Sequence, residues 1–346
     1  MYSSATGIKV DSQTRSLGPS SSLSRRVSLI GYIYGGNIYK SFSKTHYITA
    51  GQYKGGLLLV PGPGSKYLAA KIAVAGGFRL ADVEYKRFPD GEHYLRLASD
   101  FKDEKPVLVN GLHPPQDEHL MHLALLADIL KGRQAEYLTA VIPYMAYARQ
   151  DRRFREGEPI SILTVLRMMA GAGIDQVVTV NIHSPWIISQ SPIKIIDLDA
   201  SGLLATYLLQ AGFERPYILS PGKKGGTMAE EVASILETSY GVIRSSRDPV
   251  TGEVEVSTDA ELAGEDVAIV DDVISTGTTM AKSVQLVKKL GAKRVAALCI
   301  HGLFLQDSAS KIIESGADLL IATDTVPNGF AVASVAGLLA QKLGEI

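Results

Sequence analysis

Short, wholly apolar runs recur along this chain, and each is followed by a stretch with helical spacing. "GLLLV", "PVLV", "TAVI", "VVTV", "YILS", "VAIV", "VAALCI" and "LLIA" alternate with segments such as "SKYLAAKIAVAGG", "QDEHLMHLALLADILKG", "PISILTVLRMMAGAG" and "AKSVQLVKKLGAK". Apolar, largely β-branched runs without a polar alternation belong to strands buried on both faces, as in parallel sheets. In "QDEHLMHLALLADILKG" the residues Leu120, Leu123, Ala124, Ala127 and Leu130 share one face and Gly132 follows the last turn, the pattern of a helix packed on such a sheet. Strand–helix alternation over this length predicts an α/β protein of two doubly wound parallel-sheet domains, alike in plan without a close sequence repeat.

Composition removes several alternatives. At 346 residues the chain has room for two domains, and a net charge of −1 provides no basic field for nucleic acid. Cys299, the single cysteine, excludes an internal disulfide and a cysteine-based zinc site. No run approaches the length of a membrane span, and the expected location is cytoplasmic. Charge is uneven, however. Residues 1–54 carry Lys9, Arg15, Arg25, Arg26, Lys40, Lys44 and Lys54 against Asp11 alone, and they are rich in Ser, Gly and Tyr. They are expected to form a poorly ordered basic extension; an Arg- and Ser-rich, acid-poor stretch also has the composition of a transit peptide. An N-terminal α/β domain is expected over 55–199 and a second over 200–328, with a terminal helix in 329–346 packing back on the core.

The chemistry concentrates in "VAIVDDVISTGTTM". An apolar run, Val267 to Val270, leads to Asp271 and Asp272, then to the small-residue loop Ser275, Thr276, Gly277, Thr278 and Thr279, then to a helix. Backbone N–H groups and the helix dipole favour an anion at such a loop. An ordinary strand–helix turn with hydroxyl caps would use one Ser or Thr and would not need two adjacent acids. Ligands of doubly wound sheets bind beyond the carboxyl ends of the strands. His183, Arg149 to Asp151, and Asp324 also follow apolar runs and fall at such ends.

"VAIVDDVISTGTTM" resembles the 5-phosphoribosyl 1-diphosphate motif of phosphoribosyltransferases and ribose-phosphate diphosphokinases. "KRFPDGEHYLRL", "DEHLMHLALLADILK", "PYMAYARQDRRFREGEPIS" and "VVTVNIHSP" resemble the diphosphokinases, with the spacing of the short archaeal-type enzymes. The similarity runs from about Leu57 to Leu343 and implies a phosphoribosyltransferase-type fold in both domains. The reaction it implies moves the β,γ-diphosphoryl group of ATP to the anomeric hydroxyl of ribose 5-phosphate. By the same resemblance, Asp271 and Asp272 meet the ribose hydroxyls, and Ser275 to Thr279 cradle the 5-phosphate. Arg149, Gln150 and Asp151 serve ATP, and His183 stands beside a magnesium-bound triphosphate as a Mg2+ ligand and catalytic group. Arg247 neutralises transition-state charge. Phe88, Asp90 and Glu92 match an adenine-binding hairpin that serves a neighbouring subunit, so a homo-oligomer is implied; no nucleic acid or membrane partner is.

Two positions depart from the family pattern. Gly222 in "SPGKKGG" replaces an Asp that helps hold ribose and metal, with Lys223 and Lys224 alongside. Ser245 stands where the family has a Lys two places before Arg247, and Arg244 is the nearest substitute. A missing charged contact in the transition state commonly costs a few kcal/mol. The alternative left open is a catalytically weak or silent paralogue that binds sugar phosphate or nucleotide and regulates a partner enzyme.

Overall fold

The computed structural model describes residues 56–102, 104–222, 225–247 and 254–346. The basic extension expected at 1–54, Lys223, Lys224, and the side chains at 245–247, 254 and 255 lie outside the described residues.

The first sheet is built from β1 (Leu57–Pro61), β2 (Arg79–Leu80), β5 (Lys105–Val109), β6 (Thr139–Val141), β7 (Gln176–Val180) and β8 (Lys194–Leu198), in the order β2-β1-β5-β6-β7-β8. Every pair in it is parallel. Between β2 and β5 the chain leaves the sheet as an antiparallel hairpin, β3 (Val83–Arg87) and β4 (His93–Leu97). The crossovers carry α1 (Lys66–Gly76), α2 (Gln116–Gly132) and α3 (Ser161–Gly171). After α4 (Ser201–Gln210), a second parallel sheet forms from β9 (Tyr217–Ser220), β10 (Tyr240–Val242), β13 (Asp266–Ile274), β14 (Arg294–Gly302), β15 (Leu319–Thr323) and β16 (Ala331–Ala333). Its order is β10-β9-β13-β14-β15-β16. Helices α5 (Gly226–Leu236), α6 (Thr278–Lys289), α7 (Ser308–Glu314) and α8 (Ala336–Leu343) complete it, with the ribbon β11 (Arg244–Arg247) and β12 (Val254–Ser257) to one side.

Strand pleating explains the unbroken apolar runs. In β1, Leu57 and Leu59 enter a core shared by both sheets, whereas Leu58 and Val60 enter the core under α2 and α3. Successive residues of a strand face opposite sides, so a strand covered on both sides has no polar face to show. The same division occurs in β13: Ala268 and Val270 face the shared core, and Val267 and Ile269 face a third core under α6 and α7. The shared core joins Leu68 and Ile72 of α1, Leu204 and Leu208 of α4, Val232 of α5, and Leu339 and Leu343 of α8.

Four stretches differ from the sequence reading. β13 does not stop at Val270; it continues to Ile274, so Asp271 and Asp272 sit inside the strand, with Asp271 opposite Cys299. "IKIIDL", assigned to no element from sequence, contains β8, and the helix after it begins at Ser201. "PISILTVL" turns helical at Ser161, two residues after Pro159. "AVASVAGLLAQKL" is split into β16 and α8, because Asp324 captures the Ser334 hydroxyl at 2.7 Å and the Val335 N–H at 2.8 Å and stops the strand there. Among the described residues no helix is long and apolar enough to cross a membrane.

Candidate active site

The two sheets turn their functional ends toward one another around β13. Asp272 lies on the face of Val270, and its Oδ2 receives a short hydrogen bond from Nδ1 of His183, which follows β7 of the first sheet. A carboxylate only accepts, so Nδ1 carries the hydrogen. Among the described residues His183 Nε2 has no recorded partner. Asp272 Oδ1 takes the Val273 N–H at 2.9 Å, and Asp271 Oδ1 takes the Asp272 N–H at 3.0 Å. The pleat sends the two acids to different surroundings. Burial and the neighbouring Asp272 push the Asp271 carboxyl well above the usual carboxylate range. Burial acts the same way on Asp272, but His183 outweighs it and holds that carboxyl low. The two adjacent carboxyls are thus shifted in opposite directions, Asp271 upward and Asp272 downward.

The loop after β13 is shaped by Gly277. It takes φ +70°, and a Cβ there would stand 2.9 Å from Ser308 Cβ and 3.1 Å from Ser308 O. Only glycine accepts both the left-handed backbone and the close approach. No side chain caps α6, so its first N–H groups point out beside the hydroxyls of Ser275, Thr276, Thr278 and Thr279. Thr276 and Thr278 are exposed. Arg149, beyond β6, donates Nη1 to Ser275 Oγ at 3.4 Å and so brings a guanidinium from the first sheet to this loop. Gly225 plays a similar steric part: a Cβ there would meet Ser220 Oγ at 2.4 Å and Asp271 Oδ1 at 3.7 Å.

Asp151, expected beside ATP, is 1% exposed. Its carboxylate accepts Ser184 Oγ at 2.7 Å, Trp186 Nε1 at 3.0 Å and Arg152 Nε at 3.1 Å. Burial opposes its ionisation, yet Arg152, Ser184 and Trp186 prevail and hold it below the usual range. It ties the Arg149 loop to the His183 turn and presents no free face. Gln150 Oε1 is occupied by the Ser161 hydroxyl at 2.7 Å. Phe88, Asp90 and Glu92 occupy the tip of the β3–β4 hairpin. Phe88 is 38% exposed, with Lys86 Nζ 4.8 Å from its ring centroid, and Asp90 Oδ1 accepts the Glu92 N–H at 3.1 Å. Among the described residues none of their recorded bonds reaches Asp271, Asp272 or His183. Arg247 falls in β11 opposite Val254. Asp324 is a structural anchor rather than a ligand group: it is buried and bonded to Lys71, Ser334 and Val335.

Several groups at the site were not singled out from the sequence. A cleft of about 260 Å³ is lined by His183, Asp272, Asp197, Asp199, Glu231 and Thr227, among others. Asp197 accepts the Ile182 N–H at 3.0 Å, and Asp199 accepts Asn181 Nδ2 at 2.7 Å. Burial raises the Asp197 carboxyl to about 6, with Asp199 adding to the rise. Recognising "IKIIDL" as a strand would have put both acids at its carboxyl end. Among the described residues no group of three His, Cys, Asp or Glu is arranged to hold a metal ion.

Paired doubly wound sheets, with an acid-bearing central strand running into an uncapped glycine loop, define a phosphoribosyltransferase-type α/β protein. Residues 57–173 match the family model described as the N-terminal domain of ribose phosphate pyrophosphokinase, and residues 191–323 match the phosphoribosyl transferase domain. The chain belongs to the ribose-phosphate pyrophosphokinase family. A ribose-phosphate pyrophosphokinase of Sulfurisphaera tokodaii is 33% identical over 292 residues, 83% of this chain and 100% of that protein. One from Methanopyrus kandleri is 36% identical over 283 residues, 81% of this chain and 96% of that protein. The crystal structure of phosphoribosylpyrophosphate synthetase from Mycobacterium smegmatis superposes with a TM-score of 0.76 at 27% identity, over 84% of this chain and 98% of that one.

Proposed function

We propose that this chain joins ATP and ribose 5-phosphate to give 5-phosphoribosyl 1-diphosphate and AMP. The observation that carries the reading is the hydrogen bond from His183 to Asp272, which sets a phosphate-side group of one sheet against the sugar-side acid of the other. Asp272, ionised and oriented, accepts from one ribose hydroxyl. Asp271, the adjacent residue of the strand, meets the neighbouring hydroxyl. The 5-phosphate takes the free N–H groups of α6 and the hydroxyls of Ser275 to Thr279. The anomeric oxygen then attacks the β-phosphorus, the bond from that phosphorus to the α,β-bridging oxygen breaks, AMP leaves with that oxygen, and the hydroxyl proton is released. Such a transfer depends mostly on positioning and charge neutralisation. Arg149 and Arg247 meet the phosphate charge, and Asp151 keeps the Arg149 loop and the His183 turn in place.

A Mg2+ ion accompanying ATP would lower the charge that the two reactants must bring together. His183 is suited to contact it, because a metal-bound imidazole characteristically donates its other N–H to a carboxylate; the bond to Asp272 leaves Nε2 free for that contact. The tip of the β3–β4 hairpin, which among the described residues makes no bond to its own site, offers Phe88, Asp90 and Glu92 to the adenine of a second copy in a homo-oligomer.

The test is incubation of purified protein with Mg-ATP and ribose 5-phosphate, following AMP. The expected result is one AMP per 5-phosphoribosyl 1-diphosphate formed. If the wild type forms none, and a Ser245→Lys, Gly222→Asp double variant also forms none, the catalytic reading fails and a silent, partner-regulating protein replaces it.

A further inference from the structure

His301 lies on β14, opposite Val273 and so one residue beyond the level of Asp272. It is 2% exposed, and both its ring nitrogens are engaged. Nε2 faces the backbone carbonyl of Asn181 at 3.3 Å, and Nδ1 faces the Thr325 hydroxyl at 2.9 Å. A carbonyl can only accept, so Nε2 carries the hydrogen and Nδ1 receives that of Thr325. Thr325 Oγ1 also lies 3.0 Å from the Ile300 carbonyl, but Thr323 donates to that carbonyl at 2.7 Å, which lets the Thr325 hydroxyl turn to the ring. One tautomer satisfies every partner.

Asn181 begins the turn that carries His183. It holds φ +40°, uncommon for a residue with a side chain. Its amide and the next backbone N–H are tied to Asp199, Ala200 and Asp197. Those three ties come from residues that follow β8, or end it, in the first sheet. His301 supplies a tie from the second sheet, the one that also holds Asp272. The ring of Tyr144, 5.0 Å from that of His301, packs against it.

We infer that His301 is a positioning residue, fixing the His183 turn to the sheet that carries Asp272 so that the His183–Asp272 bond forms. The inference rests on the proposed catalytic use of His183, but its test does not need that use to be right. Three variants separate the possibilities. His301→Phe keeps a ring and removes both bonds. His301→Gln restores a donor near Nε2. Thr325→Val removes the hydroxyl that fixes the tautomer.

The direct readout is the downfield proton resonance of a carboxylate-bonded imidazole N–H in the ligand-free protein, assigned to His183 by its loss in His183→Gln. It is expected to vanish or exchange-broaden in His301→Phe and to return in His301→Gln, with thermal midpoints close to wild type. In turnover, kcat is expected to fall about 10- to 100-fold in His301→Phe, with the KM for ribose 5-phosphate little changed, and to recover in His301→Gln. If His301→Phe does not fold, Thr325→Val carries the test, with a weakened resonance and a smaller fall in kcat expected. An unchanged resonance in the folded variants overturns the inference, as does a His301→Gln variant no better than His301→Phe. A wild type that forms no AMP while the resonance still depends on His301 overturns the proposed function alone.

Discussion

Lys71 on α1 and Asp324 after β15 close a 2.7 Å ion pair across 253 residues of sequence. Asp324 is 7% exposed and also holds the Ser334 hydroxyl and the Val335 N–H at the start of α8. Burial lowers the pKa of Lys71, but Asp324 outweighs it and the net shift is upward. One carboxylate therefore joins the first sheet's helix, the last strand of the second sheet and the final helix. Lys71→Met should lower stability by about 1–3 kcal/mol, because it leaves a buried carboxylate without its cation while two donors remain. Denaturant unfolding measures this; a loss below about 0.5 kcal/mol, the level of an ordinary surface change, would refute it.

Gly277→Ala adds a methyl at φ +70° against Ser308. The loop must shift to accept it, at a cost of about 1–3 kcal/mol. The expected signature is a rise in the KM for ribose 5-phosphate much larger than any change for ATP, since the displaced N–H groups belong to α6. Equal effects on both substrates would contradict the assignment of this loop to the sugar phosphate.

Much of this architecture can be read from the sequence, and the failures have physical causes. Runs such as "LLLV" and "VAIV" declare themselves because a strand covered on both faces has no polar alternation. "IKIIDL" does not, since β8 is an edge strand whose residues are exposed or only half-buried. The final segment reads as one helix because Ala and Val fit either structure; the break at Ser334 depends on Asp324, ten residues upstream. At the site, the acids, the loop and the histidine are visible as motifs. That Asp151 faces inward, and that His301 reaches Asn181 across 120 residues, follows from tertiary contacts no local pattern encodes.

Phe88→Ala is expected to weaken ATP binding by about 1–3 kcal/mol, the worth of one base–aromatic stack. Mixing this variant with chains carrying Asp272→Ala should restore some activity if the hairpin serves a second copy. No recovery, together with a monomeric mass at working concentration, would refute the shared site.

His122 is 2% exposed, neither ring nitrogen has a hydrogen-bond partner among the described residues, and its pKa is lowered to about 4 by burial and by His93 and His119. An unfolded histidine takes a proton near pH 6.5. Between those values the unfolded chain binds a proton the native chain refuses, so this residue's contribution falls as pH drops from 6.5 toward 4. His122→Leu should stabilise by about 1–2 kcal/mol at pH 8, by removing an unpaired polar group. At pH 5 the gain should be about 2 kcal/mol larger. A gain independent of pH would show that the ring is not held neutral.

Ser245→Lys restores a cation two residues before Arg247. If that contact acts on charge developing during transfer, kcat should rise roughly tenfold or more while ATP affinity changes little. A variant that tightens ATP without faster turnover would place the charge on the ground state.

Helix α8 closes over α1, with Leu339 and Leu343 joining Leu68 and Ile72 in one core. Synthesis runs the other way. The first sheet and its helices leave the ribosome before α8, with the flank of α1 uncovered, and the eight residues that cover it are added only after the second sheet. Domains made first usually fold first, but here the first sheet waits for a helix that follows the second. A nascent chain stalled anywhere before Ala336 keeps an apolar seam open, so the core around α1 closes only once α8 has emerged.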